Sequence, residues 1–236
     1  EELSLKGVKG MVKMAPSAAR VVWEYFGGRE RFGLQFDGML EGVDKVDSGS
    51  LSKDDIEKPK GWVLLGFIMD PRTGLGRHDA FRINNWELLT ELVDMCRTMP
   101  IAEILAHPDV KERVDFYTKQ NERYKKMILE NSKEYKNVLV SDLRDLSTIE
   151  VGNRFIPHTL YPQCNLFIQL MWDHTKDNVV FAVGYSIINK SCNANVGNIL
   201  LSYGGGGHYK VGTCQIYAPM AESALKEMID RFQEEC

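Results

Sequence analysis

The sequence lacks several features that would assign a protein to a broad class at once. No apolar run reaches the roughly 18 to 20 residues that a membrane span requires, and the start EELSLKGVKG lacks the apolar core of a signal peptide. Acidic side chains outnumber basic ones by 33 to 29, so the net charge is −4 and no global positive field attracts a polyanion. We therefore expect a protein that stays out of membranes and recognises any phosphate locally.

Cysteine is scarce and has no metal-binding spacing. The five cysteines are odd in number, widely spaced and free of any C-x-x-C pair: Cys96, Cys164, Cys192, Cys214 and Cys236. This usage argues against a disulfide framework and against a structural zinc site. We expect the protein in a reducing cytoplasm.

Length and composition predict two globular domains. The 236 residues exceed the usual single domain of about 100 to 150 residues. A content of 44% hydrophobic and 26% charged residues is typical of a folded, water-soluble protein. The expected fold class is α/β.

The first half of the chain shows helical spacing. The segment PSAARVVWEYFGG predicts a helix, and a second pattern follows from Phe36 to Val43. The block GWVLLGFIM leaves helix and buried strand open, and we favour helix. Between residues 85 and 99, one face carries Trp86, Leu89, Val93 and Cys96, which predicts an amphipathic helix. A long, highly charged helix over residues 109–135 is interpreted as a connector.

After about residue 136 the pattern becomes rich in β-strands. Four runs predict strands, namely KNVLVSDLR, CNLFIQLMW, NVVFAVGYSII and HYKVGTCQIYA. Helices are predicted for GNRFIPHTLYP, NVGNILLSY and AESALKEMIDRFQ. The order β-α-β-β-α-β-α predicts a sheet covered by helices in residues 136–236.

Four consecutive glycines, Gly204, Gly205, Gly206 and Gly207, precede His208. Glycines expose successive backbone N–H groups, so this segment could curl around an anion such as phosphate, to which His208 could donate a hydrogen bond. The alternative is that Gly204 caps the preceding helix and the other glycines form a flexible turn. Glycine loses much backbone entropy on folding, so four together favour phosphate binding.

The segment NVGNILLSYGGGGHYKVGTCQI resembles the C-terminal substrate-binding domain of DHH-family phosphoesterases. It departs from the commoner pattern at Lys210 and Val211, where small residues usually stand. APSAARVVWEYFGG, VDKVDSGSL and GWVLLGFIMDPRTGLG resemble later motifs of the catalytic domain in the exopolyphosphatase-related subgroup. The resemblance implies that residues 1–108 are the mainly helical C-terminal portion of a truncated DHH catalytic domain. Residues 109–135 would be the connector helix, and residues 136–236 the DHH-associated substrate-binding domain.

The resemblance also implies a set of site residues. The substrate-binding residues it indicates are Gly205, Gly206, Gly207, His208, Arg154, Asn195 and Ser191. Asp44 and Asp47 lie three apart, so both carboxylates would face the same way at a helix end and suit Mn²⁺ or Mg²⁺, although most such pairs are merely solvated. The resemblance assigns Asp44 as a metal ligand.

The early aspartate pair and the Asp-His-His triplet of the family do not occur in the sequence. The resemblance therefore implies that this chain lacks most metal ligands and is inactive by itself. Two explanations are open, namely a native chain that extends upstream of Glu1 or a degenerate relative. The missing start methionine and the intact remaining motifs favour the first.

The expected function is metal-dependent hydrolysis of phosphodiester or phosphoanhydride bonds, with Mn²⁺ or Mg²⁺ as cofactor. Nucleotides, short single-stranded oligonucleotides and polyphosphate all remain open as substrates, and a homodimer remains open as the assembly. The alternative is a non-catalytic nucleic-acid-binding module, because a similar domain occurs at the C-terminus of alanyl-tRNA synthetases. The acidic charge balance weighs against that alternative.

Overall fold

The structure is a computed structural model and describes residues 10–78 and 80–236. The first nine residues, on which the signal-peptide argument depends, lie outside the described residues. The chain divides into two compact units, Glu1–Tyr117 and Thr118–Cys236. The assignment of the two parts of the chain to a catalytic and a substrate-binding domain stays a prediction.

The described part of the first unit is helical. Its α-helices are α1 (Ala18–Tyr25), α2 (Gly28–Phe32), α3 (Asp37–Ser48), α4 (Lys53–Glu57), α5 (Gly61–Met69), α6 (Asn85–Thr98), α7 (Ile101–Ala106) and the start of α8 (Pro108–Glu130). Short 3₁₀ turns cover Pro71–Thr73 and Leu75–Arg77. The helical interpretation of GWVLLGFIM is confirmed by α5, and the predicted long charged helix is α8.

Capping side chains explain where several of these helices begin. The Ser17 hydroxyl accepts a hydrogen bond from the Arg20 N–H at the start of α1. Ser52 and Asn84 each form a capping box, with an acidic side chain three residues later, at α4 and α6. Such caps satisfy backbone donors that have no partner within the helix. The helix starts are therefore encoded locally.

The buried face of α6 differs in part from the predicted one. Leu88 and Leu92 are 1% exposed and belong to the core of the first unit, whereas Trp86 and Val93 are more than 70% exposed. The helix itself is confirmed, but Trp86 and Val93 of the predicted face lie outside the core, whereas Cys96 of that face packs against it. Apolar residues occupy two faces of α6, and spacing alone does not decide which face has a neighbour.

The second unit contains a six-stranded mixed sheet. Its strands are β1 (Ser132–Tyr135), β2 (Val138–Asp142), β3 (Leu166–Trp172), β4 (Asn178–Tyr185), β5 (Gly206–His208) and β6 (Val211–Tyr217), in the order β1-β2-β3-β4-β6-β5. β2 and β3 are parallel, and the other neighbours are antiparallel. The helices are α9 (Ile156–Leu160), α10 (Val196–Leu201) and α11 (Ala221–Glu235). The expected α/β fold class is confirmed.

All seven elements predicted for the second unit are present, and β1 and β5 are additional. β1 reads SKEY, in which only Tyr135 favours a strand, and β5 consists of two glycines and a histidine, so both have little strand propensity. Each is an edge strand that exists because its backbone pairs with a neighbour. On the covered face, Phe181 of β4 packs in one core with Met228 and Phe232 of α11. Burying each such side chain stabilises the fold by about 1.5–3 kcal/mol.

One pair of cysteines is joined, contrary to expectation. Cys192 and Cys236 form a disulfide although 44 residues separate them. The fold brings the segment before α10 next to the end of α11, which sequence spacing does not reveal. Cys164 and Cys214 are free and buried, and burial raises the pKa of each thiol to about 11, so both stay protonated near neutral pH.

Within residues 10–78 and 80–236, no helix combines the length and the apolar character that crossing a bilayer requires.

Candidate functional site

The glycine segment, residues 204–207, begins as a helix cap. Gly204 has a φ of 74°, a left-handed conformation that glycine adopts without steric cost. Its N–H donates to the carbonyl of Leu201 at 3.1 Å, and the Gly205 N–H donates to that of Leu200 at 2.9 Å. This is the Schellman arrangement that ends many helices. The expected open nest of four glycine amides is therefore wrong for the first two, which satisfy the end of α10.

The next residues form the edge strand β5. In an antiparallel ladder the backbone groups of a strand point alternately toward and away from its partner. Because β5 has β6 on one side only, part of its backbone faces away from the sheet. Direct contact of Gly205, Gly206 and Gly207 with phosphate stays a prediction.

Packing and backbone conformation explain three of the four glycines. A Cβ atom at Gly205 would lie 2.3 Å from the carbonyl oxygen of Thr213, and one at Gly207 would lie 2.2 Å from that of Val211. At Gly204 the left-handed φ favours glycine. Gly206 has no such reason, since a Cβ there meets no atom within 4 Å and its φ is not left-handed. The space on the Cβ side of Gly206 is therefore empty, and the fold does not require glycine there.

His208 ends β5 with an exposed side chain. Its imidazole makes no hydrogen bond or ion pair with any residue that the structure describes. A histidine in this state can donate to a phosphoryl oxygen and adds charge assistance when protonated. Of the predicted substrate-binding side chains, His208 is the one that has no visible structural task.

Ser191 and Asn195 lie in the segment 186–195, here named the site loop, which joins β4 to α10. The Ser191 hydroxyl accepts from the Asn165 side-chain amide at 3.0 Å and donates to the Asn189 side chain at 2.8 Å. The Asn195 side chain caps α10 by accepting the Asn198 N–H at 3.1 Å. Both residues thus shape the backbone around the glycine segment. Their contact with substrate stays a prediction.

Two buried side chains hold the site loop, and the sequence pattern does not indicate either as a site residue. Asn165 is 4% exposed and accepts from Asn137 at 2.9 Å while its amide donates to Ser191. His158 of α9 accepts the Ile187 N–H on Nδ1 at 3.2 Å. Burial, and secondarily the charge of Arg154, lower the pKa of His158 to about 4, so it is neutral at pH 7. Sequence spacing carried no signal for either contact.

Arg154 is half-buried just before α9. Its guanidinium carbon lies 4.2 Å from the centre of the Phe155 ring, a cation–π contact that limits its rotation. Its charge also acts on the neighbouring His158. Arg154 is thus a positioned cation in the second unit, and its contact with substrate phosphate stays a prediction.

Asp44 of α3 is already paired in the first unit. Its carboxylate accepts from the Ser17 hydroxyl at 2.6 Å, from Arg20 Nε at 2.9 Å and from Arg20 Nη2. Across the described parts of the chain, no group of three or more His, Cys, Asp or Glu side chains could hold a metal ion. The described residues therefore do not fit a divalent cation by themselves. Metal binding by Asp44 stays a prediction that requires the ion pair with Arg20 to open.

The chain is similar to a solved structure over nearly its whole length. No protein-family model and no curated protein matches this chain. A solved structure of a pGpG-specific phosphodiesterase, PggH from Vibrio cholerae, is 46% identical with a TM-score of 0.84, over 94% of this chain and 74% of that chain.

Two further solved structures are more distant. An exopolyphosphatase-related protein from Bacteroides fragilis is 15% identical with a TM-score of 0.38, over 63% of this chain and 44% of that chain. The DHH domain of a member of a ribosomal protein family is 16% identical with a TM-score of 0.43, over 93% of this chain and 46% of that chain. At these scores neither structure supports an inference about this chain.

The class that the fold and the extensive identity define is the phosphoester hydrolases. Within it, this chain belongs to the DHH family of phosphoesterases. The recognition drawn from the glycine motif is confirmed.

Proposed function

We propose that this chain binds pGpG or a closely similar short guanine oligonucleotide as the substrate of a phosphodiester hydrolysis. The observation that carries the proposal is the 46% identity, over 94% of the chain, to a pGpG-specific phosphodiesterase. Such identity over nearly the whole chain argues for shared ligand chemistry, beyond a shared fold. Polyphosphate and long nucleic acids then become secondary candidates.

The second unit supplies the groups that would hold the substrate phosphate. His208 offers an exposed donor, and the space beside the Cα atom of Gly206 is empty. Arg154 adds a fixed positive charge. These groups would orient the phosphodiester and stabilise negative charge that develops on its oxygens. The site loop keeps its shape through Asn165 and His158, so little ordering is needed on binding.

The proposal includes dependence on Mn²⁺ or Mg²⁺, which the family resemblance implies. When bound, such an ion would supply Lewis-acid polarisation of the phosphoryl group. The described residues do not provide a complete set of ligands, and Asp44 is engaged with Arg20. We therefore expect this chain alone to bind substrate with little turnover.

A binding experiment tests the substrate assignment. Isothermal titration calorimetry with pGpG would compare the chain with Gly206→Ala and with a matched control, Val211→Ala, on the neighbouring strand. The methyl group at residue 206 meets no protein atom within 4 Å, so folding should be unchanged. We expect it to obstruct the phosphate and to weaken pGpG binding at least about 10-fold, or about 1.4 kcal/mol. The control should bind as the unsubstituted chain does.

The outcomes separate the parts of the proposal. Absence of pGpG binding by the unsubstituted chain would contradict the substrate assignment. If Gly206→Ala binds pGpG as tightly as the unsubstituted chain does, the glycine segment is not part of the binding site. Chromatographic detection of rapid pGpG cleavage with Mn²⁺ would show that this chain is active alone, against expectation. The rival nucleic-acid-binding module predicts a steep fall of RNA affinity with salt and no preference for pGpG.

A further inference from the structure

Tyr209 follows His208 directly and forms half of the two-residue turn between β5 and β6. Its side chain is 53% exposed. An isolated exposed aromatic residue is ordinary on a protein surface and indicates nothing alone. The contacts of Tyr209 distinguish it from such a residue.

Hydrogen bonds hold Tyr209 at its side-chain hydroxyl and at its main-chain carbonyl. Its hydroxyl donates to the carbonyl oxygen of Asn193 at 2.7 Å, and its main-chain carbonyl accepts the Val196 N–H at 2.9 Å. Rotation about the Cα–Cβ bond would break the hydroxyl bond, whereas rotation about Cβ–Cγ leaves the hydroxyl in place. The ring is therefore exposed and yet fixed in position.

The hydroxyl contact also gives the direction of the ring. Asn193 lies in the site loop between Ser191 and Asn195, so the Tyr209 side chain reaches from the β5–β6 turn to the loop that carries two predicted substrate contacts. The neighbouring carbonyl, that of Ala194, accepts the hydroxyl of Tyr185 at 2.7 Å. Two tyrosines thus fix adjacent residues of the site loop, and one of them keeps half of its surface open.

Tyr217 on β6 provides the contrast within the same sheet. It is 61% exposed, and its hydroxyl makes no hydrogen bond with any part of the chain that the structure describes. A side chain that is free about both torsions loses more conformational entropy when a ligand stacks on it than one whose hydroxyl is already anchored. Tyr209 is therefore prepared for stacking in a way that Tyr217 is not.

We propose that Tyr209 is the stacking platform for a nucleobase whose phosphate is held beside His208, which rests on the proposed function. Every base has a π-face, and stacking on an aromatic side chain contributes substantially to single-strand binding. A platform next to the phosphate site makes the ligand class nucleotides and short oligonucleotides. Inorganic polyphosphate has no group for Tyr209 to contact. Tyr209 thus determines specificity by favouring ligands that carry a base.

The test measures binding of three probes to the full chain by calorimetry at one salt concentration: pGpG, GMP and base-free inorganic tripolyphosphate. Tyr209→Ala should weaken pGpG and GMP between about 5-fold and about 100-fold, the range that loss of one stacked base implies. Tripolyphosphate affinity should not change. Tyr209→Phe keeps the ring and loses only the Asn193 bond, so its loss should stay below about 5-fold. Tyr217→Ala is the matched control and should bind all probes normally.

Tyr209→Leu retains apolar bulk at the turn and guards against a folding defect in the alanine variant, with thermal unfolding by circular dichroism as the check. It should lose base binding as the alanine variant does. An equal loss for tripolyphosphate would show that Tyr209 only shapes the loop and would overturn the stacking role. Unchanged pGpG affinity in Tyr209→Ala would overturn it while leaving the proposed function standing. Failure of the unsubstituted chain to bind pGpG would overturn both.

Discussion

The two units differ in whether the polar atoms of their motif residues already have partners. In the first unit, Asp44 is engaged in an ion pair with Arg20 and a hydrogen bond from Ser17. In the second unit, His208 is exposed and unengaged by the described residues, beside a glycine segment in which packing does not require Gly206. A residue type in a motif position therefore does not establish that its polar atoms are available. Availability depends on neighbours that only the fold supplies.

The largest expected effect sharpens the contrast within the glycine segment itself. Gly207→Ala would place a Cβ 2.2 Å from the Val211 carbonyl oxygen, on backbone that cannot move aside without opening the β5–β6 pair. We expect a loss of about 3 kcal/mol or more in the free energy of unfolding. Urea unfolding of Gly207→Ala and Gly206→Ala measures the difference, since the latter should be nearly neutral. Similar stability of the two variants would refute this division of roles.

The next effect concerns pH and belongs to the second unit. Because the pKa of His158 is about 4 in the folded chain and 6.5 in the unfolded chain, the unfolded state binds an additional proton between these values. The contribution of His158 to the free energy of unfolding should therefore be fully present above pH 6.5 and be lost as the pH falls toward 4. At about 1.4 kcal/mol per pH unit, the stability lost between these two pKa values is about 3 kcal/mol.

His158→Asn is the matched variant for this pH effect, because its Oδ1 can accept the Ile187 N–H in place of Nδ1 and does not titrate. Denaturant titrations at several pH values should give a flatter profile for the variant. An identical slope in both proteins would show that another group causes the acid sensitivity.

The smallest effect tests the engagement of Asp44 in the first unit. Asp44→Asn removes the charge that faces Arg20 and leaves this arginine, whose side chain is 28% exposed, without that carboxylate. We expect a loss of about 1–2 kcal/mol in stability, within the range for hydrogen bonds to charged groups. Mn²⁺ affinity of the chain, measured by electron paramagnetic resonance, should remain negligible before and after the change. If the chain binds Mn²⁺ tightly and Asp44→Asn abolishes this binding, Asp44 is available to a metal ion, which contradicts the difference between the two units.

Prediction from sequence was strongest where local physics decides the outcome. Ser17, Ser52 and Asn84 cap helices through contacts with residues three positions away, so the helix starts can be predicted from the chain. The strands of the second unit were recognised by their β-branched and aromatic residues. The buried residues Leu88 and Leu92 of α6 and the edge strand β5 were missed, because each depends on a distant neighbour.

The same distinction applies to the candidate site. The glycine segment and His208 are contiguous, so a sequence motif identified them and the family. Asn165, His158 and Tyr209 act on the site loop from separate elements, and no spacing in the sequence connects them. The Cys192–Cys236 pair was unexpected for the same reason.

By itself, the sequence determined the α/β class, most of the helices and strands, the DHH family and the presence of a glycine-rich segment before His208. Those features follow from local backbone preference and from contiguous motifs. Only the tertiary structure decided which glycine is free of packing, which amides cap α10 and that Asp44 faces Arg20. Each of these depends on atoms brought together from distant positions, because hydrogen bonds and steric contacts act across space without regard to sequence separation.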